Sequence, residues 1–526
     1  MTHPAPIDRR RLLRLAAGSA TALWLPRSAW SQPRFSGDPF TLGVASGSPS
    51  QDSVVLWTRL VAPGLFQGLG TQPITVRWEV GHDERFERIA ARGQSQALAE
   101  LAHSVHAEVA GLEPDRWYFY RFMAGDAVSP SGRTRTLPAP DAAVSKFRLA
   151  YASCQRWEHG YFSAYRHMRE ENLDLVLFLG DYIYEYPAAS RPVRLPMAGW
   201  LSTLDDYRQR HALHKGDADL QAMHAACPWL VTWDDHEVQN DYAGTTAGNA
   251  GPEVADFVAR RAAAYQAFYE HMPMRASALT AAVGGLQAGA ELRLYSQQRV
   301  GRLANVILLD DRQYRNPQVC TRDGKRGSGL VDPSTCAAWN DPARTLLGSV
   351  QERWLDGALA ASGAGWTVVG QQSLFGQRDN RPGAGELLWN DGWDGYSAAR
   401  TRVTDSLQRH RVANAVMLGG DVHENWVGHL KADYSRPDSP ALGVEFCGTS
   451  ITSRSGGNGR VRERLAENPH FVFADAERKG YGVAEFTPAR LTTTLRVVDD
   501  VAKKETRIET LARFVVEAGR PRVEQA

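Results

Sequence analysis

From residue 40 onward the chain alternates short apolar or β-branched runs with turn-rich polar segments, and the character of the runs changes once. Before residue 137 they alternate between apolar and polar. Residues 53–60, 74–80 and 117–122 read as strands at the spacing of a β-sandwich, the last preceded by the turn Gly111-Leu112-Glu113-Pro114. After a Pro/Ala/Ser-rich stretch the runs are apolar throughout. Residues 147–151, 175–179, 229–233, 305–309, 366–369 and 415–418 are of the kind buried on both faces of an α/β sheet. Between them 205–226 and 252–271 predict helices, and Ser349-Val350-Gln351-Glu352 predicts a helix start at which serine and glutamate cap each other's free amides. Alternation returns over 491–498. The boundaries predicted are 38–137 for the sandwich, 138–146 for a linker, 147–500 for the α/β part and 501–526 for a C-terminal extension.

The first thirty residues differ in kind. Arg9-Arg10-Arg11-Leu12-Leu13-Arg14 precedes an apolar run over 15–25, well short of the roughly 20 residues a spanning helix needs. Ala29 and Ser31 then give a small-x-small cleavage pattern. The expectation is a twin-arginine-type signal over 1–31, with the twin-arginine translocation machinery as partner and a soluble, monomeric product that is periplasmic or secreted by a bacterium. An ordinary secretory signal is the alternative. The 526 residues carry 60 Lys plus Arg against 59 Asp plus Glu, a net charge of +1, which excludes a general attraction to nucleic acid or to an anionic membrane. Any recognition of negative charge must therefore be local. The cysteine count of five is odd for an exported chain. Cys320 and Cys336 flank a Gly/Lys/Arg/Ser/Pro-rich loop that a disulfide would close.

Chemistry gathers where the apolar strands end. The first runs into Ser153-Cys154-Gln155, the second into Gly180-Asp181-Tyr182-Ile183-Tyr184-Glu185, and the third into Asp234-Asp235-His236-Glu237 with Asn240-Asp241 behind. The sixth runs into Gly419-Gly420-Asp421-Val422-His423-Glu424. Ligands of open α/β sheets bind beyond the carboxyl ends of the strands, so four segments deliver carboxylate, imidazole, thiol and phenol to one rim. Less is expected of other groups. Asp310-Asp311-Arg312-Gln313-Tyr314-Arg315 reads as a structural ion pair before a phosphate-side arginine, and His211 and His214 read as a solvated helix face. Trp393 and Tyr396 either shape a pocket mouth or pack.

These segments, with Phe40-Thr41-Leu42-Gly43-Val44-Ala45-Ser46-Gly47 and Val55-Leu56-Trp57-Thr58-Arg59, resemble the PhoD-type alkaline phosphatases, a branch of the calcineurin-like metallophosphoesterases related to the purple acid phosphatases. The resemblance implies a four-layer α-β-β-α sandwich preceded by a small fibronectin-III-like β-sandwich. It implies hydrolysis of phosphate esters by a metal-bound hydroxide at an Fe(III)/Ca centre, and leaves monoester and diester substrates both open. Against the wider superfamily's motifs, Cys154 stands in the first, Tyr184 closes the second, Asp235 replaces an asparagine and Asp421 a histidine. A phenolate and a thiolate beside Asp181 and His423 suit ferric iron, because each must lose a proton of high pKa. Asp181, Asp235 and Asp421 form an all-oxygen set suited to Ca(2+). His236 matches the histidine that contacts the transferring phosphoryl group. Asp234, Asn240 and Asp241 are candidates for a further calcium or for orienting the ligands, and Glu237 and Glu424 are expected to orient ligands from behind.

Two rival readings remain at this level. A serine hydrolase needs Gly-x-Ser-x-Gly, and Gly43-Val44-Ala45-Ser46-Gly47 has its serine in the fourth place. A non-catalytic binding protein on the same fold would account for the N-terminal module but not for the intact ligand set.

Overall fold

A computed structural model describes residues 34–64, 68–195, 197, 199–280, 291–321, 326–436 and 438–526; the expected signal over 1–31 lies outside them. The chain divides into two compact units. One comprises the N-terminal part to Pro138 with Leu201–Trp229 and Val258–Arg293; the other comprises Ala139–Trp200, Leu230–Phe257 and Leu294–Ala526.

In the first unit, Val44–Gly47, Ser53–Arg59 and Ser104–Ala110 pair in antiparallel order. Ile74–Gly81, Ile89–Ala97, Trp117–Ala124, Ala127–Val128 and Gly132–Arg135 form a second sheet. Trp117–Ala124 buries every second residue, and Tyr118, Tyr120 and Phe122 meet Val54, Leu56, Val105 and Val109 in one core. Alternate residues of a strand point to opposite faces, so this pattern commits one face of each sheet to the interior. The stretch 205–226 is two helices, Leu204–Lys215 and Ala218–His224. The break falls at Gly216-Asp217, where Asp217 caps the second helix by accepting from the amides of Asp219 and Leu220. The helix expected from 252 begins later, as Phe257–His271. His211 and His214 are buried rather than solvated, because their side of the helix faces inward and His211 stacks on His271 at 4.9 Å.

The second unit holds two larger sheets. One runs in the order Glu524–Gln525, Ile508–Glu517, Arg490–Val498, Lys479–Phe486, Phe147–Ala152, Leu175–Leu179 and Trp229–Thr232. Residues after 500, expected only as an extension, thus supply two strands of it. The other has the order Ser296–Val300, Ala304–Leu308, Trp366–Gly370, Ala415–Gly419, Ala441–Cys447, Asn425–Lys431 and Phe471–Asp475, with parallel pairing among its four central strands in that list. Gly370 approaches Leu177 and Leu179, and Phe446 meets Phe514 at 6.2 Å, so the two sheets pack face to face. On the opposite face of the second sheet, Ile307, Val369 and Met417 receive Leu355 and Leu359 of helix Gly348–Ala360 and Val403 and Leu407 of helix Ser397–Arg409. Trp393 and Tyr396 pack into this core. The capping pair expected at Ser349 is not made. The helix starts earlier, at Gly348, with Leu347 at the cap position; Thr345, two residues before Leu347, accepts from the amide of Gly348 at 2.8 Å and donates to Glu352. Cys320 and Cys336 form a disulfide, and Cys154, Cys227 and Cys447 are free and buried. Among the described residues no helix is long and apolar enough to cross a membrane.

Candidate metal centre

Three strands of the second unit, Phe147–Ala152, Leu175–Leu179 and Ala415–Gly419, end in tight left-handed turns. Cys154, Asp181, Asp421 and His423 have φ of 59°, 57°, 65° and 58°, a region that side chains other than glycine enter rarely and that clusters at functional sites. The turns are held in place by close backbone approaches. A Cβ on Gly180, itself at φ +105°, would lie 2.5 Å from Asp234 Cβ, and one on Gly420 would lie 2.3 Å from Ser153 Oγ. Glycine before each aspartate is therefore a steric requirement of bringing neighbouring strand ends together. The amide of Cys154 donates to the Gly180 carbonyl at 3.1 Å, and that of Gln155 to the Asp181 carbonyl at 3.0 Å.

Cys154 Sγ, a carboxylate oxygen of Asp181 and a ring nitrogen of His423 lie within 4.8 Å of one another. Tyr184 joins them, its Oη donating to Asp181 Oδ2 at 2.9 Å and lying 3.2 Å from His423 Nε2. His423 Nδ1 donates to the Arg454 carbonyl at 2.9 Å, which leaves Nε2 as the lone-pair nitrogen facing the group. Ser453, far away in sequence, places Oγ 2.7 Å from Tyr184 Oη and 2.9 Å from the Cys154 carbonyl. A second group within the same spacing consists of Asp181, Asp235 and His236, and a third of Asp235, Asp241 and Asp391. Among the described residues no such group of three includes Asp421.

The supporting residues divide by what they touch. Glu237 lies beneath the turns and accepts from the amides of Asp181, Asp234 and Tyr182 at 3.1, 2.7 and 2.5 Å. Asp234 Oδ1 is taken by Arg312, which also reaches Asp391 at 2.8 Å, while Asp234 Oδ2 is buried without a hydrogen-bond partner. The expected structural ion pair of Arg312 is thus this one. Asn240 accepts from Tyr186 Oη at 2.7 Å, and Asp241 accepts from the amide and hydroxyl of Ser328. Glu424 turns away from the ligands, drawn into ion pairs with Arg378 and Arg464 and a hydrogen bond from the Trp426 indole. The sequence reading assigned no role to Glu185, although it is fully buried, accepts from His236 Nδ1 at 2.7 Å and takes the Asn240 amide at 2.7 Å. Its signal was its place in the Asp181 segment. Ser453 and Asp391 follow none of the six apolar runs and gave none.

Electrostatics make the cluster chemically unfinished. Burial pushes the pKa values of Cys154 and Tyr184 well up, and the charge of Asp181 pushes each further. Burial likewise raises Asp181 and Asp421 far above the carboxylate range. Asp235 Oδ1 and Asp421 Oδ2 are buried without a hydrogen-bond partner. Burial opposes a charged His236, but the carboxylates of Asp181, Glu185 and Asp235 together outweigh it and hold the imidazole well above its ordinary pKa. Anionic oxygen, sulfur and nitrogen donors with unspent lone pairs at this spacing fit multivalent cations, which would reverse the upward shifts.

Strand ends that pool such donors around one shared carboxylate place the chain in the class of phosphoric ester hydrolases, and the comparisons bear this out. Residues 149–495 match the family model for PhoD-like phosphatases, and 26–138 match the model for the N-terminal domain of those phosphatases. The chain belongs to the PhoD-like phosphatase family. It is 44% identical to alkaline phosphatase D of Bacillus subtilis (strain 168), over 97% of this chain and 87% of that one. A solved structure described as PhoD superposes with a TM-score of 0.87 at 44% identity, covering 94% of this chain and 93% of the other.

Proposed function

We propose that the chain hydrolyses phosphate esters at two adjacent cation sites that share Asp181. The carrying observation is that Asp181 belongs both to the group with Cys154 and His423 and to the group with Asp235 and His236. Cys154, Asp181, Tyr184 and His423 would hold one ion, and three anionic donors with one imidazole suit Fe(3+). Asp181, Asp235 and Asp421 would hold the other, and hard oxygen donors suit Ca(2+). When bound, the ions supply Lewis-acid charge at the phosphate oxygens and lower the pKa of water.

The chain's own contribution is orientation and proton transfer. Glu185 fixes His236 through Nδ1, which leaves Nε2 as the nitrogen that hands a proton to the leaving oxygen. Glu237 fixes the turns of Asp181 and Asp234 through their amides, so that the shared carboxylate is held before substrate arrives. The fold that goes with this reading is the four-layer α-β-β-α sandwich with a fibronectin-III-like module before it, supported by the two helices on the outer face of the second sheet and by the first unit's facing sheets. Export through the twin-arginine route, to a periplasmic or secreted location, is proposed on Arg9 and Arg10 and the short apolar run that follows them.

Metal analysis of purified protein, combined with turnover of nitrophenyl phosphate and bis-nitrophenyl phosphate, tests the reading. Release of nitrophenol from either ester by protein containing iron and calcium supports it. Full activity from metal-free protein, or from protein containing only zinc, overturns it.

A further inference from the structure

Three tyrosines alternate along 182–186, and they do not share one environment. Tyr182 and Tyr184 are fully buried, whereas Tyr186 is half-buried beside the site. The Tyr186 hydroxyl donates to Asn240 Oδ1 at 2.7 Å, which fixes the ring. The ring centre lies 5.0 Å from that of His236 at an interplanar angle of 62°. Trp200, also half-buried, meets the same ring edge-on at 5.2 Å and 74°. Behind Trp200 the backbone of Gly251, at φ +83°, lies so close that a Cβ there would sit 2.7 Å from the indole Cε3. The indole is thus backed by main chain. Above Tyr186 the guanidinium of Arg156 stands 4.8 Å from the ring centre, and its Nε is tied to the fully buried Glu158 at 3.3 Å.

We propose that Tyr186 and Trp200, capped by Arg156, form a subsite for a flat aromatic group carried on the leaving oxygen of the substrate. This rests on the reading of the site as a phosphate ester hydrolase in which His236 protonates that oxygen. The Tyr186 ring adjoins His236, so whatever is attached to the leaving oxygen lies along this wall. The wall offers π faces and edges, and its one phenolic hydroxyl already donates to Asn240. Such a surface attracts a planar ring through offset or edge contact, and a guanidinium at one end adds attraction for an electron-rich ring. A saturated ring of equal bulk gains neither attraction.

The test compares benzyl phosphate with cyclohexylmethyl phosphate, whose leaving alcohols are primary and of closely similar basicity, on the metal-loaded wild type, Trp200→Leu and Trp200→Phe. Trp200→Leu is expected to lower kcat/KM for the benzyl ester about three- to tenfold more than for the saturated ester, chiefly through KM, with Trp200→Phe recovering most of the difference. Equal losses on both esters overturn the subsite and leave the hydrolase reading standing. Failure of the wild type to release phosphate from either ester overturns the subsite, and overturns the hydrolase reading with it when both nitrophenyl esters are also left intact. Should Trp200→Leu not fold, product inhibition of the wild type decides: benzyl alcohol must inhibit more strongly than cyclohexylmethanol, and equal inhibition overturns the proposal.

Discussion

Both units of this chain bury charge, and they handle it in opposite ways. The first unit encloses Arg59, His211, Lys215, His224, His271 and Glu270. Its solution is internal. His271 Nδ1 donates to the Ala267 carbonyl at 2.6 Å, so Nε2 accepts from Arg59 at 2.6 Å and the ring stays neutral. Glu270 is neutralised by Arg208, and Lys215 lies 3.1 Å from His224 and 4.5 Å from the Trp57 ring. The second unit encloses Asp181, Asp234, Asp235, Asp241 and Asp391 beside Cys154 and Tyr184, with Arg312 and Arg315 as the cations buried among them. Its anions outnumber its cations. A charged interior whose cations meet neutral acceptors and a paired glutamate is structural, whereas one left short of positive charge is built around something the chain does not itself contain.

The largest test of that contrast removes the shared carboxylate. Asp181→Ala should lower kcat by more than the roughly 100-fold that marks the upper range for loss of an outer partner, and should lower metal content with it. Next comes the internal cation of the acidic interior. Arg312→Gln leaves Asp234 without its ion pair and Asp391 with Arg315 alone, and should cost about 3–5 kcal/mol of stability by denaturant titration, less when metal is saturating.

In the first unit, burial pushes His211, His224 and His271 well below the ordinary histidine pKa, so each is neutral when folded. A depressed folded-state pKa makes stability intact above about 6.5 and lost as pH falls below it, because the unfolded chain then binds the extra protons. Three such groups give a limiting slope of about 4 kcal/mol per pH unit, and His271→Gln should reduce it by about a third. Glu185→Gln should lower kcat by about 10- to 100-fold with metal content unchanged, since it loosens His236 without touching the shared carboxylate. The smallest effect belongs to the helix start: Thr345→Ala should cost about 1 kcal/mol in thermal unfolding, and Ser349→Ala less than about 0.5.

Legibility in the sequence followed the range of the physics. The six apolar runs became strands within a residue or so of their predicted limits, because burial on both faces leaves no polar position to blur them. The four strand ends were legible for the same reason, since a strand fixes where its next residues emerge. What depended on distant partners was not. Glu424 was placed by adjacency to His423, yet Arg378 and Arg464, more than forty residues before it and forty after, decide where it points. His211 and His214 looked solvated because a histidine pair on a helix is polar in any pattern; only the stacking ring of His271 shows that this face is interior. Ser453 reaches Tyr184 across 269 residues of sequence, a separation no local signal spans.

On the proposal made above, the acidic interior of the second unit holds cations through Asp181. Metal content per chain, measured in parallel with turnover before and after chelation and add-back, tests it most directly. Active wild-type protein should carry at least two bound ions, lose activity reversibly on calcium chelation with iron retained, and recover with calcium but poorly with zinc. Undiminished turnover by protein stripped of all metal, or an Asp181→Ala variant that keeps both its ions and its activity, would contradict it.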